Sequence, residues 1–425
     1  MTAPFFCAIL LASKRNPMKL RPQQEQSLAA MQRHQFGQII APTGAGKTLI
    51  MIFDAMRRMR EATTPQTIVV CAPRILLAEQ LSSEFLEFID DANVLHIHSG
   101  ETHHKSTTNP QVIAAWDNVV DNHKLIFTTY NSLRRLNESE IHIDVAYYDE
   151  AHNAVRTDFF NSVASCNATN YYYFTATPKH RRSSLGTGMN NKIVFGQIIS
   201  NISAPELVEQ GSILRPTIDI HEVDYERQKG LSAADNDHST LLDMIDGLDS
   251  RNAQKVLVAA PSSKVLWQML SRTTVLADLA ERGYDVLHIT SKFGAYVNGT
   301  KVDREQFFDT FNTWGQDPER KFVIFHYSIL SEGINVHGLT HTILLRNLPI
   351  VEMAQTIGRV IRLNKEDAKD IAAGKIEAGN FQMYRKPTGF VTVPVFKNYG
   401  KKTQRRLEEV VDTIFVKGQP AIDVR

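Results

Sequence analysis

The chain has 425 residues, of which 43% are hydrophobic and 22% are charged, and its formal net charge is +1 at pH 7. This length allows two or three domains with separate cores, and the composition is typical of a soluble globular protein. The balanced charge excludes a strongly basic molecule, so any contact with nucleic acid must come from local basic patches. The three cysteines, Cys7, Cys71 and Cys166, form no C-x-x-C pair, which indicates reduced thiols in the cytosol.

Residues 1–17 are predicted to form an N-terminal tail. Their apolar run is followed by basic residues, whereas a signal peptide carries its basic residues in front, and the run is too short to span a bilayer. We therefore expect no contact with a membrane. Met1 and Met18 are both candidate starts of translation.

The stretch "APTGAGKTLI", from Ala41 to Ile50, is the first motif that indicates a chemistry. It follows "FGQII", which is typical of a buried strand, and it leads into "LIMIFDAMRRM", which is typical of a helix. Its glycines allow a tight turn with N–H groups facing an anion, its lysine adds charge for the β- and γ-phosphates of ATP, and its threonine can ligate Mg²⁺. Ala41 stands where the usual pattern has its first glycine, and a glycine turn without a ligand is the alternative. The predicted cofactor-binding residues here are Thr43, Gly44, Ala45, Gly46, Lys47 and Thr48.

Short apolar, β-branched runs alternate with helical stretches along most of the chain. This pattern predicts an α/β fold with mostly parallel sheets and helices on both faces. One series of strands lies between residues 38 and 178 and a second between residues 255 and 347. Between them, "GSILRPTIDIHEV" predicts a crossing strand and "QKGLSAADNDHST" a polar, flexible insertion.

An acidic pair follows the strand predicted at residues 145–148, in "YYDEAHNA". A strand that ends at this point places Asp149 and Glu150 beside the crevice where α/β sheets bind ligands. Asp149 can then hold the magnesium shell, and Glu150 can orient and deprotonate the attacking water. The alternative is an acidic helix cap without catalytic meaning, which the preceding phosphate-binding motif makes a poor explanation.

Together these motifs resemble, in order, those of the superfamily 2 DEAH-box helicases, which are ATP-driven nucleic-acid motors with two RecA-like domains. The resemblance covers about residues 20 to 365. It implies that "LRPQQ" reads the adenine base through Gln24, with Arg21 nearby. It also implies that Thr175 and Thr177 of "TATP" couple ATP hydrolysis to strand movement, with His152 as their partner.

Four further positions are assigned to nucleic acid by the resemblance alone. Pro73 and Arg74 of "CAPRILLAEQ" would face the nucleic-acid backbone, and Thr128 and Thr129 of "IFTTYNSL" would touch phosphates. In the second domain, "SEGINV" resembles a motif whose Gly333 would contact the cofactor. After "HITS" no family pattern is recognisable, and contacts by Ser291 or Lys292 are an open possibility.

The last motif, "QTIGRVIRL", explains why such a motor needs two domains. Gln355, Arg359 and Arg362 recur at spacings of four and three, which predicts that all three lie on one face of a helix. The resemblance implies that they reach the γ-phosphate as catalytic groups, the arginines acting as arginine fingers. A solvated basic face is the alternative, and Gly358, which allows close approach to another surface, favours the catalytic interpretation.

The resemblance divides the chain into two tandem RecA-like domains with flanking segments. The boundaries are an ATP-binding domain at 18–212, a crossing strand and linker or insertion at 213–250, a second domain at 251–385, and a C-terminal strand and amphipathic helix packed on it at 386–425.

We therefore expect an ATP-hydrolysing, nucleic-acid-stimulated DNA helicase or translocase that uses ATP and Mg²⁺ at the cleft between the domains. The motifs look most like phage and bacterial DNA helicases of the UvsW and restriction-subunit type, which favours DNA over RNA as the partner. The alternatives are an RNA helicase and a duplex-DNA translocase subunit that does not separate strands. The expected location is the cytoplasm, or the host cytoplasm for a phage protein, and the oligomeric state is left open.

Two weaker patterns complete the sequence. Alternation along a strand and a polar loop explain the histidines of "HIHSGETHH" better than a metal centre does. The basic turns "PKHRRSS" (178–184) and "KNYGKKTQRR" (397–406) are either solvated or grip phosphates, with Tyr399 available for stacking in the second case.

Overall fold

The computed structural model describes residues 20–424 except for 101, 103, 225, 229–231, 250, 251, 291 and 328–337. The described residues form two compact units. The first contains those up to Ile202 apart from Pro42–Gly44, together with Val424, and the second contains Pro42–Gly44 and those from Ser203 to Asp423. The tail expected at residues 1–17 lies outside the described residues.

A seven-stranded parallel sheet forms the centre of the first unit, with the strand order β3, β4, β2, β5, β6, β1, β8. β2 is buried along its whole length, as expected for a central parallel strand covered on both faces. The strands of this unit are β1 (Phe36–Ile40), β2 (Thr67–Ala72), β3 (Asn93–Ile97), β4 (Lys124–Thr129), β5 (Ile143–Tyr148), β6 (Ala168–Thr175), β7 (Lys179–His180, outside the sheet) and β8 (Ile198–Asn201).

The helices of the first unit connect these strands and cover the sheet. Their helical assignment follows from apolar positions at helical spacing and from caps such as Asn109, whose side chain accepts a hydrogen bond from the Gln111 N–H. The helices are α1 (Pro22–Arg33), α2 (Lys47–Glu61), α3 (Ile75–Leu86), α4 (Pro110–Val119), α5 (Leu133–Asn137), α6 (Thr157–Ala164) and α7 (Lys192–Phe195).

The second unit contains an eight-stranded mixed sheet with the strand order β13, β12, β11, β14, β10, β15, β16, β9. Its edge strands β12 and β13 are antiparallel and the other pairs are parallel, so an antiparallel hairpin extends a parallel core. The strands are β9 (Arg215–Val223), β10 (Lys255–Ala259), β11 (Asp285–Thr290), β12 (Gly294–Val297), β13 (Thr300–Val302), β14 (Phe322–His326), β15 (His341–Leu344) and β16 (Thr388–Phe396), and Asp423–Val424 form β17 outside this sheet.

The helices of the second unit include one that the sequence did not predict. The segment expected to be a flexible insertion contains α9, because Ser232 and Asp235 form a capping box that starts a helix with a buried apolar face. The helices are α8 (Ala204–Glu209), α9 (Ala233–Asp246), α10 (Ser263–Arg272), α11 (Val275–Glu281), α12 (Arg304–Gln316), α13 (Ile350–Val360), α14 (Lys365–Ala372) and α15 (Lys401–Val411).

Mostly parallel, helix-covered sheets in both units confirm the predicted fold class of two tandem RecA-like domains. Crossing strand β9 pairs in parallel with β16 over nine residues at the edge of the second sheet. Among the described residues, no helix combines the length and the apolar character needed to cross a membrane.

Candidate functional site

The glycine-rich loop lies between β1 and α2, at the carboxyl end of a parallel strand. Gly46 adopts a left-handed conformation with φ of 79° and immediately precedes α2, whose first residue is Lys47. A side chain at position 46 would collide with the amide of Gln24, so this position requires glycine for both conformation and space. The loop therefore presents Lys47 and Thr48 in the first turn of α2, where backbone N–H groups are free to bind an anion.

Gln24 fixes this loop to the start of α1. Its Oε1 accepts a hydrogen bond of 2.9 Å from the Arg21 N–H, and its Nε2 donates one of 3.1 Å to the carbonyl oxygen of Ala45. The side chain is buried, and both of its polar atoms have partners within the chain. Gln24, one of the two residues predicted to contact adenine, is therefore already hydrogen-bonded to the glycine-rich loop and to Arg21, the other.

Asp149 and Glu150 follow directly after β5, as the sequence predicts, and both are buried. Burial and the neighbouring Glu150 carboxylate raise the pKa of Asp149, and the Lys47 ammonium opposes this shift. Lys47 Nζ lies 3.9 Å from Glu150 Oε1. The cation for the phosphates and the predicted base are therefore brought together at one edge of the sheet.

Glu150 has an unusual backbone conformation for a residue with a side chain. Its φ is 46°, in the left-handed region, where such residues are uncommon and cost free energy unless the surroundings impose them. Two contacts hold this turn: the Tyr130 hydroxyl donates to the Asp149 carbonyl at 2.9 Å, and Asn153 Nδ2 donates to the Glu150 carbonyl at 3.0 Å. Sequence reasoning missed Tyr130 and Asn153, although both lie inside motifs that it identified.

His152 connects the predicted base to the predicted coupling residue. Its Nδ1 lies 3.1 Å from Thr175 Oγ1 and 3.4 Å from Glu150 Oε2, and Asn153 Nδ2 lies 3.3 Å from its Nε2. Because the Asn153 side-chain nitrogen can only donate, the arrangement favours a proton on His152 Nδ1, which is hydrogen-bonded to Thr175 Oγ1, whereas Glu150 Oε2 has no hydrogen-bond partner among the described residues. The structure thus brings Glu150, His152 and Thr175 together.

Thr177 behaves differently from Thr175. The Thr177 N–H donates to Thr175 Oγ1 at 3.1 Å, whereas the Thr177 hydroxyl is buried without a hydrogen-bond partner in the described part of the chain. The two threonines of "TATP" are therefore not equivalent, and of the two hydroxyls only that of Thr175 contacts His152.

A buried network behind the site ties α2 to β5. Asp54, which is fully buried on α2, accepts hydrogen bonds from the Tyr147 hydroxyl at 2.8 Å, from Arg57 at 2.7 Å and from Arg58 at 2.7 Å. Tyr147 lies two residues before Asp149, so the helix that starts with Lys47 is anchored to the strand that ends at the acidic pair. Sequence reasoning missed this network because α2 and β5, which carry its members, meet only in the folded chain.

In the second unit, α13 carries two of the three predicted catalytic residues of the last motif. Gln355 and Arg359 are buried on α13. Because α13 ends at Val360, Arg362 lies beyond the helix. The prediction that all three residues share one helical face is therefore wrong for Arg362. Both polar atoms of the Gln355 amide lack a hydrogen-bond partner among the described residues. Orphaned buried polar atoms of this kind are typical of a place where a ligand or water is missing.

A buried lysine supports the end of this motif from within the same unit. Lys386 Nζ donates to the carbonyl oxygen of Arg362 at 2.9 Å and to that of Leu339 at 2.6 Å. Burial, followed by the charge of Arg362, lowers the pKa of Lys386 from 10.5 to about 7. Lys386 is a positioning residue that motif comparison did not identify, since it lies 24 residues after Arg362 in the chain.

The predicted nucleic-acid contacts have mixed surroundings. Pro73 and Arg74 are half-buried after β2, and Arg74 immediately precedes α3. Thr128 and Thr129 are buried at the end of β4, and the Thr128 hydroxyl donates to the Ile97 carbonyl at 3.1 Å. Their burial leaves no open face for a phosphate in this conformation, and Asn131 is the exposed residue that follows them.

The histidines at the end of β3 form a hydrogen-bonded row. His96 is buried, and its two ring nitrogens lie 3.0 Å from His98 Nε2 and 3.0 Å from Ser82 Oγ. Burial lowers the pKa of His96 to about 4, with smaller contributions from His98 and His104. Within residues 20–424, leaving aside those not described, no group of three or more His, Cys, Asp or Glu side chains is arranged to hold a metal ion.

Tyr399, a candidate for stacking, has a partner within its own unit. The Arg227 guanidinium lies 4.5 Å from the centre of its ring, and the Tyr399 hydroxyl donates to the Leu345 carbonyl at 3.3 Å. Gly333 and the other residues of "SEGINV", as well as Ser291, lie outside the described residues.

Comparison with known proteins gives two family matches along the chain. Residues 17–180 match the family described as type III restriction enzyme, res subunit, and residues 238–364 match the helicase conserved C-terminal domain. The sequence matches none of the curated proteins with which it was compared.

The solved structures that share the fold include two restriction-modification enzymes. One is the ATP-dependent Type ISP restriction-modification enzyme LlaBIII bound to DNA, with 14% identity, a TM-score of 0.69, and coverage of 96% of this chain and 31% of that one. The other is a nuclease-deletion mutant of the Type ISP enzyme LlaGI in complex with a DNA substrate mimic, with 15% identity, a TM-score of 0.62, and coverage of 95% and 30%. The chain thus spans about a third of the length of these enzymes.

Proposed function

Because the chain is a superfamily 2 helicase of the restriction-subunit type, we propose that it is an ATP-driven motor that moves along DNA. One observation carries the proposal: the phosphate-binding Lys47 and the acidic pair Asp149–Glu150 converge at the carboxyl edge of one parallel sheet, with Lys47 Nζ 3.9 Å from Glu150 Oε1. DNA is proposed rather than RNA because the matched family is that of restriction enzymes and both similar structures hold DNA or a mimic of it.

The chemistry follows from the groups at this edge. Lys47 would bind the β- and γ-phosphates, and the N–H groups at the start of α2 would surround them. Glu150 would accept the proton of the attacking water, and its fixed left-handed turn holds the carboxylate in place for that task.

Magnesium fits the donor set that the chain offers. The Thr48 hydroxyl and the Asp149 carboxylate are hard oxygen ligands, and Mg²⁺ typically uses one or two such groups with substrate phosphates and water. When bound, the ion would neutralise charge on the phosphates of ATP.

The contact between His152 and Thr175 supports a coupling role for this pair. The Nδ1 proton of His152 has two neighbouring acceptors, Thr175 Oγ1 at 3.1 Å and Glu150 Oε2 at 3.4 Å, and a small movement of the ring would transfer its hydrogen bond from the threonine to the carboxylate. A change at the carboxylate during hydrolysis would therefore reach the strand that carries Thr175. Gln355, Arg359 and Arg362 remain predicted catalytic groups, and the orphaned amide of Gln355 supports a ligand at that position.

Displacement assays test the kind of movement. A motor that moves on duplex DNA should remove a third strand from a triplex, whereas a helicase should separate a forked duplex. We expect ATP-dependent displacement of at least one of these DNA substrates by the wild type and of neither by Glu150→Gln. Displacement of RNA duplexes alone would show that the chain is an RNA helicase, and ATP-independent displacement would refute the motor assignment. We also propose a cytoplasmic location, in keeping with unpaired thiols at Cys71 and Cys166.

A further inference from the structure

A cluster of aromatic rings lies near the carboxyl end of β11 in the second unit, and none of its rings belongs to the motifs described above. Trp267 of α10 stacks on Phe293, with ring centres 4.7 Å apart and an angle of 11° between the planes. Tyr296 of β12 lies 5.8 Å from Trp267 and stacks on His288 at 4.5 Å. We call Trp267, Phe293 and Tyr296 the aromatic surface.

The hairpin of β12 and β13 places these rings. Its turn is Asn298–Gly299, both with positive φ, which is the preferred pair for a two-residue hairpin turn. The register pairs His288 with Tyr296 and Tyr296 with Lys301, so these three side chains form a row across β11, β12 and β13 on one face of the sheet. An Asn-Gly pair between alternating residues was the sequence signal for this hairpin.

The aromatic surface is not part of the hydrophobic core on that face of the sheet. That core is formed by α9, α10 and α11 against β10, β11 and β14, and it uses Leu266, Met269 and Leu270 of α10. Trp267, Phe293 and Tyr296 are each half-buried. Rings that contact one another and stay partly exposed leave apolar faces or edges in water, which is typical of a binding surface.

Lysines surround the rings. Lys292 Nζ lies 5.4 Å from the centre of the Phe293 ring, and a Cβ at Gly294 would lie 3.5 Å from Lys301 Cε, so both lysines lie beside the aromatic surface. Lys264 precedes Trp267 by one helical turn on α10, and all three lysines are exposed. Stacking platforms flanked by cations are the features with which proteins bind single strands, since every base has a π-face and every linkage a phosphate.

We propose that the aromatic surface and its lysines bind single-stranded DNA by stacking on its bases. This inference rests on the proposed function. It adds contacts to the bases of the DNA to the contacts with its phosphates. Because paired bases are stacked inside a duplex, we expect the aromatic surface to prefer unpaired strands. The DNA on which the motor moves would then contain at least a short unpaired region. His288 lies beneath Tyr296 and supports its ring without reaching the surface.

Binding of a fluorescent 20-nucleotide oligo(dT), measured by anisotropy, tests the rings. Trp267→Ala combined with Phe293→Ala should weaken binding to this strand by about tenfold or more, on the scale of one or two stacked bases, and should change binding to a blunt duplex by less than about twofold. The matched control is Trp314→Ala, since Trp314 is also half-buried but lies on α12 and packs on Phe322 and Arg320. Trp267→Phe, which keeps a ring, should restore most of the affinity.

The lysines are tested by salt dependence. Lys292→Ala combined with Lys301→Ala should lower the slope of log affinity against log salt by about 1.4, or about 0.7 for each phosphate contact. Lys369→Ala, on exposed α14, should leave the slope unchanged. Melting curves check that each variant is folded before its affinity is compared.

The outcomes separate this inference from the proposed function. If ATP hydrolysis by the wild type responds to DNA but the ring variants bind oligo(dT) as tightly as the wild type, the stacking surface is refuted and the motor remains. Equal losses for single strand and duplex would also refute stacking, and tighter binding to oligo(U) than to oligo(dT) would overturn the choice of DNA. If no DNA stimulates hydrolysis while the ring variants still lose affinity for oligo(dT), the proposed motor fails and the binding surface stands.

Discussion

The carboxyl ends of the two sheets carry different kinds of side chains. In the first unit, Asp149, Glu150, His152 and Thr175 are buried, and His152 Nδ1 lies 3.1 Å from Thr175 Oγ1 and 3.4 Å from Glu150 Oε2. In the second unit, the aromatic surface is half-buried, and its lysines are exposed. A small ligand with several charges needs groups held in fixed positions, whereas a long polymer can be bound by tolerant, repeated contacts. Under these proposals the same type of sheet edge would serve two tasks, distinguished by burial and side-chain chemistry.

Among the substitutions considered, we expect the largest loss of ATP turnover from a change at Lys47. Lys47→Ala removes the charge for the β- and γ-phosphates, and ATP turnover should fall by at least about 100-fold because a positioned electrostatic group is lost. Steady-state phosphate release measures this effect, with Lys192→Ala, at an exposed position of α7, as the control. Turnover near that of the wild type would show that the loop does not bind the phosphates.

A second prediction separates binding from chemistry at Glu150. Glu150→Gln keeps the shape of the side chain but cannot accept a proton, so turnover should fall by about 10²- to 10⁴-fold while ATP still binds. Binding of a fluorescent ATP analogue and single-turnover hydrolysis measure the two steps. Loss of ATP binding, or turnover unchanged from the wild type, would move the catalytic base to another residue.

The two threonines of "TATP" offer a matched pair within the buried network. Thr175→Val removes the contact to His152 and leaves the Thr177 N–H without its acceptor, whereas Thr177→Val removes a hydroxyl with no partner in the described residues. We expect Thr175→Val to reduce strand or triplex displacement severalfold more than DNA-stimulated ATP hydrolysis, and Thr177→Val to change neither by more than about twofold. A proportional loss of both activities in Thr175→Val would show that Thr175 is only structural.

The smallest predicted effect concerns Lys386, which stabilises the end of the last motif. Its pKa is lowered from 10.5 to about 7 in the folded chain, so between these values the unfolded chain binds a proton that the folded chain does not. The free energy of unfolding of the wild type should therefore rise with pH from about 7 to 10.5, relative to that of Lys386→Met. Denaturant unfolding at pH 7.5 and 9.5 measures the difference, and identical pH dependence of the two proteins would refute a neutral Lys386.

Sequence reasoning reached the first unit's site because its groups follow strands directly and recur at fixed motif spacing. Asp149 and Glu150 are an example, since the end of a parallel strand dictates where they point. The left-handed turn at Glu150, the Tyr130 and Asn153 contacts that hold it, and the Asp54 network depend on tertiary packing, which no local pattern encodes. The same reason explains Arg362: spacing placed it on a helical face, but α13 ends before it.

In the second unit the helix α9 and the hairpin of β12 and β13 carried local signals. A Ser–Asp capping box and an Asn-Gly turn are both present in the sequence, but the polar composition of the first segment favoured a flexible insertion, and the second segment was assigned no structure. The aromatic surface could not be predicted, because Trp267 and Phe293 lie far apart in the chain and meet only when α10 packs beside β11.

The central claim is that the site at Lys47, Asp149 and Glu150 hydrolyses ATP in response to DNA. Its most direct test is the rate of ATP hydrolysis by the wild type and by Glu150→Gln, measured without nucleic acid and with single-stranded, forked and duplex DNA and with RNA. We expect DNA to stimulate the wild type more than RNA does, and Glu150→Gln to show almost no hydrolysis under any condition. Hydrolysis that DNA does not stimulate, or that survives in Glu150→Gln, would contradict it.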